Sequence, residues 1–299
     1  MISCQTVIVT SPTTTTTTPS PTTTTTTPSP SGGIYLSNTE VIAIVNHINA
    51  NQEPWTSAYN DLINRANDFL SQGIQYISGD FDTGNSVHYQ AAMGASHLVR
   101  DCALAYRLSG DVRYANKAVQ QINAWCVNSS TRMIPRYRWV SGDNGTINIT
   151  VTIPGLLYGA SLLINYSGWN SSDKSTFIQW CIDFLNDNGW RAYEPCTTSQ
   201  NYDSWQVAFH MALAAITDNQ ASVNSAVDLF KTFLVPCHQD SDGSFYRERD
   251  RTLGSRDMAI FYSLWNTKAW LLIAEAARHR GIDLYSYKNS GKGIELALD

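Results

Sequence analysis

The sequence predicts an all-α fold, a ring of antiparallel helical hairpins, on three observations. Apolar residues recur at helical spacing over almost the whole chain beyond Gly33. Strand-like alternation of apolar and polar residues is scarce. The helical stretches come in pairs joined by short turns, which makes chain neighbours antiparallel partners in space. Hairpins of about 40 residues also build solenoids, but those carry a repeated signature and none is present here. A closed or partly closed ring around a central cleft fits better.

Residues 1–33 stand apart. The run from Thr10 to Pro30 is almost entirely Thr and Pro, the composition of an extended, O-glycosylated linker that cannot bury enough apolar surface to fold. This segment is expected to be disordered and dispensable, with a further module, such as a carbohydrate-binding one, upstream of it and Cys4 left from what preceded it. Residues 34–299 form the domain. Val41, Ile44, Val45 and Ile48 open the helical pattern, and Trp55 to Leu70 continue it with Pro54 at a first helical position. The loop SGDFDTGNS leads into a long helix from about Val87 to Leu108, and Ser109, Gly110 and Asp111 turn the chain into another from Tyr114 to Trp125. Val127 to Thr150 is polar and too long for a simple connector, so it reads as a cleft-edge loop on which Tyr137 and Trp139 stack against sugar rings. Ile153 to Ile164 then pairs with Thr176 to Leu185, and Tyr202 to Ile216 with Ser222 to Leu234; Arg256 to Arg280 closes the series. GIELALD at the end opens an amphipathic helix without a cap, as in a chain cut there.

Composition excludes several functions. The net charge of -5 and the absence of a long basic run argue against a nucleic-acid partner. No apolar run is long enough to span a bilayer, and residues 1–10 lack the pattern of a signal peptide. Five Asn-x-Ser/Thr sequons, at Asn128, Asn144, Asn148, Asn165 and Asn170, nevertheless join the Thr/Pro run in pointing to secretion. Cys102, Cys126, Cys181, Cys196 and Cys237 lack C-x-x-C spacing and read as disulfides or buried thiols, with at least one left unpaired by the odd count. No His/Asp/Glu cluster has ligand spacing, so no metal and no cofactor is expected. The chain is expected to act as a monomer.

The chemistry concentrates between Asp242 and Glu275. Arg247, Arg249, Arg251 and Arg256 crowd a loop that feeds a helix capped by Ser255, with Tyr262 on its inward face beside Trp265, Ala269, Leu272, Ile273 and Ala276. Loop cations beside a helix-borne phenol suit an acidic substrate. Glu248, Asp250 and Asp257, interspersed among them, also allow a structural ion-pair network.

Three segments resemble the alginate-lyase-like polysaccharide lyase superfamily. HYQAAMGASHLVRDCALAYRLSGDVRYANKAVQQINAW is similar to a hairpin near the start of those domains, QNYDSWQVAFHMALAAITDN to an inner helix opening with a catalytic Asn, and ERDRT with YSLWNTKAWLLIAEAARHRGIDLYSY to an Arg-Thr and Tyr-Ser-x-aromatic-Asn segment. The resemblance covers most of residues 55–299. It implies an incomplete (α/α) toroid and eliminative cleavage of a uronic-acid polysaccharide such as alginate or glucuronan. Carried over by position, Asn201 is the carboxylate-binding Asn and Tyr262 the catalytic Tyr, while either Arg251 or Arg256 tunes the phenol. Many members have His after the Asn; here Tyr202 stands there, and His88 is the substitute base, His210 reading as a core histidine. Tyr202, Tyr89, Trp205, Arg249 and Trp139 are the expected substrate-binding residues. Two alternatives stay open: a glycoside hydrolase on a similar toroid, using two of Asp203, Glu248 and Asp257, and a non-catalytic carbohydrate-binding domain, consistent with nine Trp and fifteen Tyr.

Overall fold

A computed structural model of the chain describes residues 33–82, 84–136, 145–189, 192–193, 195–198, 200–250 and 256–298. The Thr/Pro segment, and with it the linker reading, lies outside the described residues, as does Ser255. Among the described residues there are helices and three isolated bridges but no strand.

Local sequence sets most of the helix ends. Helix α1 (Asn38–Asn49) opens with a capping box, in which Ser37 Oγ accepts from the Glu40 N–H at 3.2 Å and Glu40 Oε2 accepts from the Ser37 N–H at 2.7 Å. Helix α2 spans Trp55–Ser71, with Pro54 at the N-cap rather than at the first helical position. Helix α3 (Ser86–Ser109) is capped by Asn85 and ends at Gly110, whose φ of 76° only glycine adopts without strain. Asp111 caps α4 (Val112–Ile122), which loosens into a π-helical turn over Asn123–Val127. Helix α5 (Gly145–Leu163) starts earlier than the expected Ile153, taking in residues 145–150 of the supposed cleft-edge loop and carrying Pro154 inside it. Helices α6 (Ser171–Leu185), α7 (Asn201–Ile216) and α8 (Gln220–Leu229) follow, the last continuing through a π turn (Phe230–Leu234) into the short α9 (Val235–His238). The arginine-dense loop contains a short helix, α10 (Tyr246–Asp250), before the long α11 (Arg256–Arg278) and the terminal α12 (Ile294–Leu298).

Packing resolves these elements into two layers. Helix α3 lies on α5, α5 on α7 and α7 on α11, while α2 and α4 back onto α3 and α6 and α8 onto α7. The inner contact of α3 with α5 is close: a side chain at Gly159 would place its Cβ 2.5 Å from the Val99 carbonyl oxygen, so glycine is required there. Helix α7 is enclosed on all sides and buries every residue from Ser204 to Phe209. Trp125, Trp169, Trp205 and Trp270 are among the largest fully buried side chains, and such rings dominate core energetics. The result is the ring of hairpins, an (α/α) toroid.

The two ends of the ring are clasped. Arg278 donates to Glu40 on α1 and to Glu275 on its own helix, and His279 Nε2 lies 3.3 Å and 3.4 Å from the same two carboxylates. His279 Nδ1 is 3.0 Å from the Gly33 carbonyl oxygen. Ligand atoms of Glu40, Glu275 and His279 lie within 4.8 Å of one another, but the Arg278 guanidinium already supplies their counter-charge, so the group is a salt-bridge knot. Cys196 and Cys237 form a disulfide, whereas Cys102, Cys126 and Cys181 are free and buried. No described helix is long and apolar enough to cross a membrane.

Candidate active site

Helices α7 and α11 position the two principal candidates. Trp270 Nε1–H donates to Ser204 Oγ at 3.0 Å, and farther along both helices Arg280 donates to the Ala215 carbonyl. These contacts join residues 66 and 65 positions apart, so the helices run parallel and in step. That register sets Asn201, the first residue of α7, level with Asn266, and leaves Tyr262 one turn beyond it on an overhanging stretch of α11.

Asn201 is buried, and its backbone N–H and Nδ2 both donate to Glu248 Oε1, at 2.7 Å and 2.8 Å. Glu248, on α10, therefore fixes the plane of the amide. A primary amide carries two N–H donors, and one of those on Nδ2 remains for another acceptor. Tyr262 is half-buried, with its ring 5.4 Å from that of Phe261. Tyr202 is half-buried beside Asn201.

The other expected residues separate. Arg251 and Trp139 lie outside the described residues, and of Arg256 the backbone alone is described, as the start of α11. Arg249 is a correction: it is exposed and held among Asp240 at 3.3 Å, Asp250 at 3.0 Å and Ser244 Oγ at 3.0 Å, so surface carboxylates already claim its charge. Trp205 is a second correction, because at 2% exposure its ring is core and packs 5.0 Å from Trp265. His88 sits in the first turn of α3, where its Nδ1 accepts from the Asp82 N–H at 2.9 Å and Phe81 packs edge-on at 5.9 Å. Tyr89 lines a cavity of about 950 Å³ together with Tyr76, Gln90 and His97. His210 is mid-helix, and burial lowers its pKa.

One arrangement was not foreseen. Ser204 Oγ lies 3.2 Å from His238 Nδ1, and His238 Nε2 lies 4.0 Å from Asp203 Oδ2. Order and spacing resemble a nucleophilic triad, yet all three side chains are buried, and burial pushes the His238 imidazole down to about 3 with Asn266 opposing it only partly. A nucleophile must meet its substrate; this set instead braces the start of α7, where Asp203 also caps the Gln200 N–H at 3.4 Å. No sequence signal could have joined Ser204 to His238 across 34 positions.

Comparison with known proteins agrees with the fold. The family described as alginate lyase matches residues 42–299. An alginate lyase from Bacteroides ovatus is 19% identical with a TM-score of 0.70, over 89% of this chain and 81% of its own. Alginate lyase A1-III from Sphingomonas species A1 is 14% identical with a TM-score of 0.68, over 90% of this chain and 76% of its own. A variant of A1-III complexed with a tetrasaccharide gives 15% and 0.68, over 90% and 75%. At these identities the structural likeness speaks for the fold. No curated protein matches the chain.

Proposed function

The chain belongs to the alginate lyase family and is a polysaccharide lyase, and from that premise we propose that it cleaves a uronic-acid polysaccharide, alginate or glucuronan, by β-elimination outside the cell. The observation that carries the substrate class is the fixed Asn201 amide at the head of α7, set one turn from the Tyr262 phenol on the parallel helix α11.

Eliminative cleavage removes the proton at C5 of a uronate, which is too weakly acidic while the neighbouring carboxylate keeps its full charge. The second Nδ2–H of Asn201 donates to that carboxylate and stabilises the enolate-like transition state, an amide donor locked in advance by Glu248. Tyr262 then takes the C5 proton as phenolate and returns a proton to the O4 leaving group as phenol, leaving a C4–C5 double bond. Arg251 or Arg256, just ahead of Tyr262 in the chain, supplies the cation that favours the phenolate. Secretion is supported by the Cys196–Cys237 disulfide, by the Thr/Pro run, and by sequons whose Asn128, Asn165 and Asn170 are exposed.

The test is an ultraviolet assay of the chain against alginate, glucuronan and pectin. Rising absorbance of unsaturated ends with alginate or glucuronan is the expected result. New reducing ends without that absorbance, or no turnover on either polymer, would overturn the reading.

A further inference from the structure

We propose that Phe261 is a stacking platform for the polymer, and that the open face of its ring holds the sugar next to the one that Tyr262 deprotonates. The proposal rests on the lyase reading and gives a task to a residue which that reading leaves idle.

Phe261 is 50% exposed, yet its ring is held in place. It lies nearly parallel to the Trp265 ring, with 22° between the planes and 5.7 Å between the centroids. Trp265 is half-buried and packs 5.0 Å from Trp205, which belongs to the core. The three rings form a column that rises from the core to the surface, and Phe261 is its outer end. Helical spacing accounts for the alignment, since positions 261 and 265 stand one turn apart on one flank of α11. Trp265 covers one face of the Phe261 ring, and the exposed half leaves the other face to solvent. Beside it stands the ring of Tyr262, edge-on at 78° and 5.4 Å.

A pyranose carries axial C–H bonds on a flat face, and these meet the electron-rich face of an aromatic ring favourably. The carboxylate of a uronate projects from the edge of the sugar, so stacking leaves it open to hydrogen-bond donors. A ring fixed before the substrate arrives also loses little side-chain freedom on binding. Contact with Tyr262 ties the platform to the chemistry. A sugar stacked on Phe261 fixes the position of the linked sugar whose C5 proton the phenol takes, and such orientation lowers the barrier of the step that follows. Phe261 itself moves no proton.

The experiment compares the unaltered chain with Phe261→Leu, Phe261→Tyr and the control Ile260→Ala. Leucine keeps the apolar bulk without the aromatic face, and tyrosine keeps the face. Ile260 is 49% exposed and stands two positions before Tyr262, on the far side of α11 from it. Initial rates are measured against concentration of whichever of alginate and glucuronan the unaltered chain cleaves, and thermal midpoints are read on the same preparations. Phe261→Leu should raise KM about fivefold, with a smaller loss in kcat. Phe261→Tyr should recover most of the affinity, and Ile260→Ala should leave KM as it is. An unchanged KM in Phe261→Leu, with the unaltered chain active, overturns the platform and leaves the lyase reading standing; a fall in kcat alone would mean that the ring only steadies Tyr262. Equal rises of KM in the Leu and Tyr variants with a lowered thermal midpoint would make Phe261 a packing residue, which also overturns the platform. A rise in Ile260→Ala as large as that in Phe261→Leu would do the same, since the effect would then belong to no particular ring. If the unaltered chain cleaves neither polymer, the lyase reading fails and the platform with it.

Discussion

The two halves of helix α11 differ more than many pairs of separate helices. Its second half buries Ala269, Trp270, Ile273, Ala274, Ala276 and Ala277, and is pinned by Arg278 and Arg280 to α1 and to the end of α7. Its first half overhangs α7, exposes Met258, Ile260, Phe261 and Leu264, and carries Tyr262. A group that must reach substrate belongs where neighbours are few; the opposite holds for a group that anchors the fold. The contrast implies that rate and stability can be altered separately on one helix.

The largest separation should come from Tyr262→Phe, which deletes a hydroxyl and keeps the ring. Turnover should fall by a factor of about 10² to 10⁴, as for loss of a general base, with the thermal midpoint nearly unchanged. An active Phe variant would remove the catalytic role from the overhanging half. Trp270→Ala in the pinned half should do the reverse, costing about 3 to 5 kcal/mol in denaturant unfolding, while the protein that stays folded keeps its KM. Asn201→Ala mixes the two effects, since it removes a preorganised donor and a partner of buried Glu248. About a hundredfold loss of kcat is expected, along with about 1 to 3 kcal/mol of stability. Normal kinetics in a destabilised protein would reduce Asn201 to a helix opener.

The smallest effect concerns pH. Burial would raise the Glu40 carboxyl, but hydrogen bonds from Ser37 and Arg278 outweigh it and pull it from 4.5 down to about 2. A group depressed on folding contributes stability that is fully present above its unfolded pKa and is lost as pH falls through the folded one. Glu40 should therefore weaken the fold between pH 4.5 and about 2, by no more than about 1 kcal/mol at so exposed a site. Glu40→Gln should flatten that part of the acid unfolding curve. An unchanged curve would show that the clasp does not tighten the pinned half.

The hairpins were legible because helical periodicity and caps such as Asn85 and Asp111 are local signals, whose physics acts within a turn or two. The start of α5 was not, since GTINIT is rich in β-branched and polar residues and only its place against α3 makes it helical. Asn201 and Tyr262 were marked by resemblance and by their positions on helices. Glu248, which orients Asn201 from 47 positions away, was noted as a charge among arginines and as an acid for the hydrolase alternative, not as a partner of Asn201. Trp205 misled because sugar platforms and core fillers are the same residue type.

The clasp between the ends of the ring also governs when the molecule can finish forming. Glu40 meets an arginine 238 positions later in the chain, and Gly33 a histidine 246 positions later. At the usual pace of synthesis, about 5 to 20 residues per second, the first helix emerges roughly ten to fifty seconds before its partner exists. Helix α1 must therefore wait, packed on α2 and α3, until the last long helix leaves the ribosome.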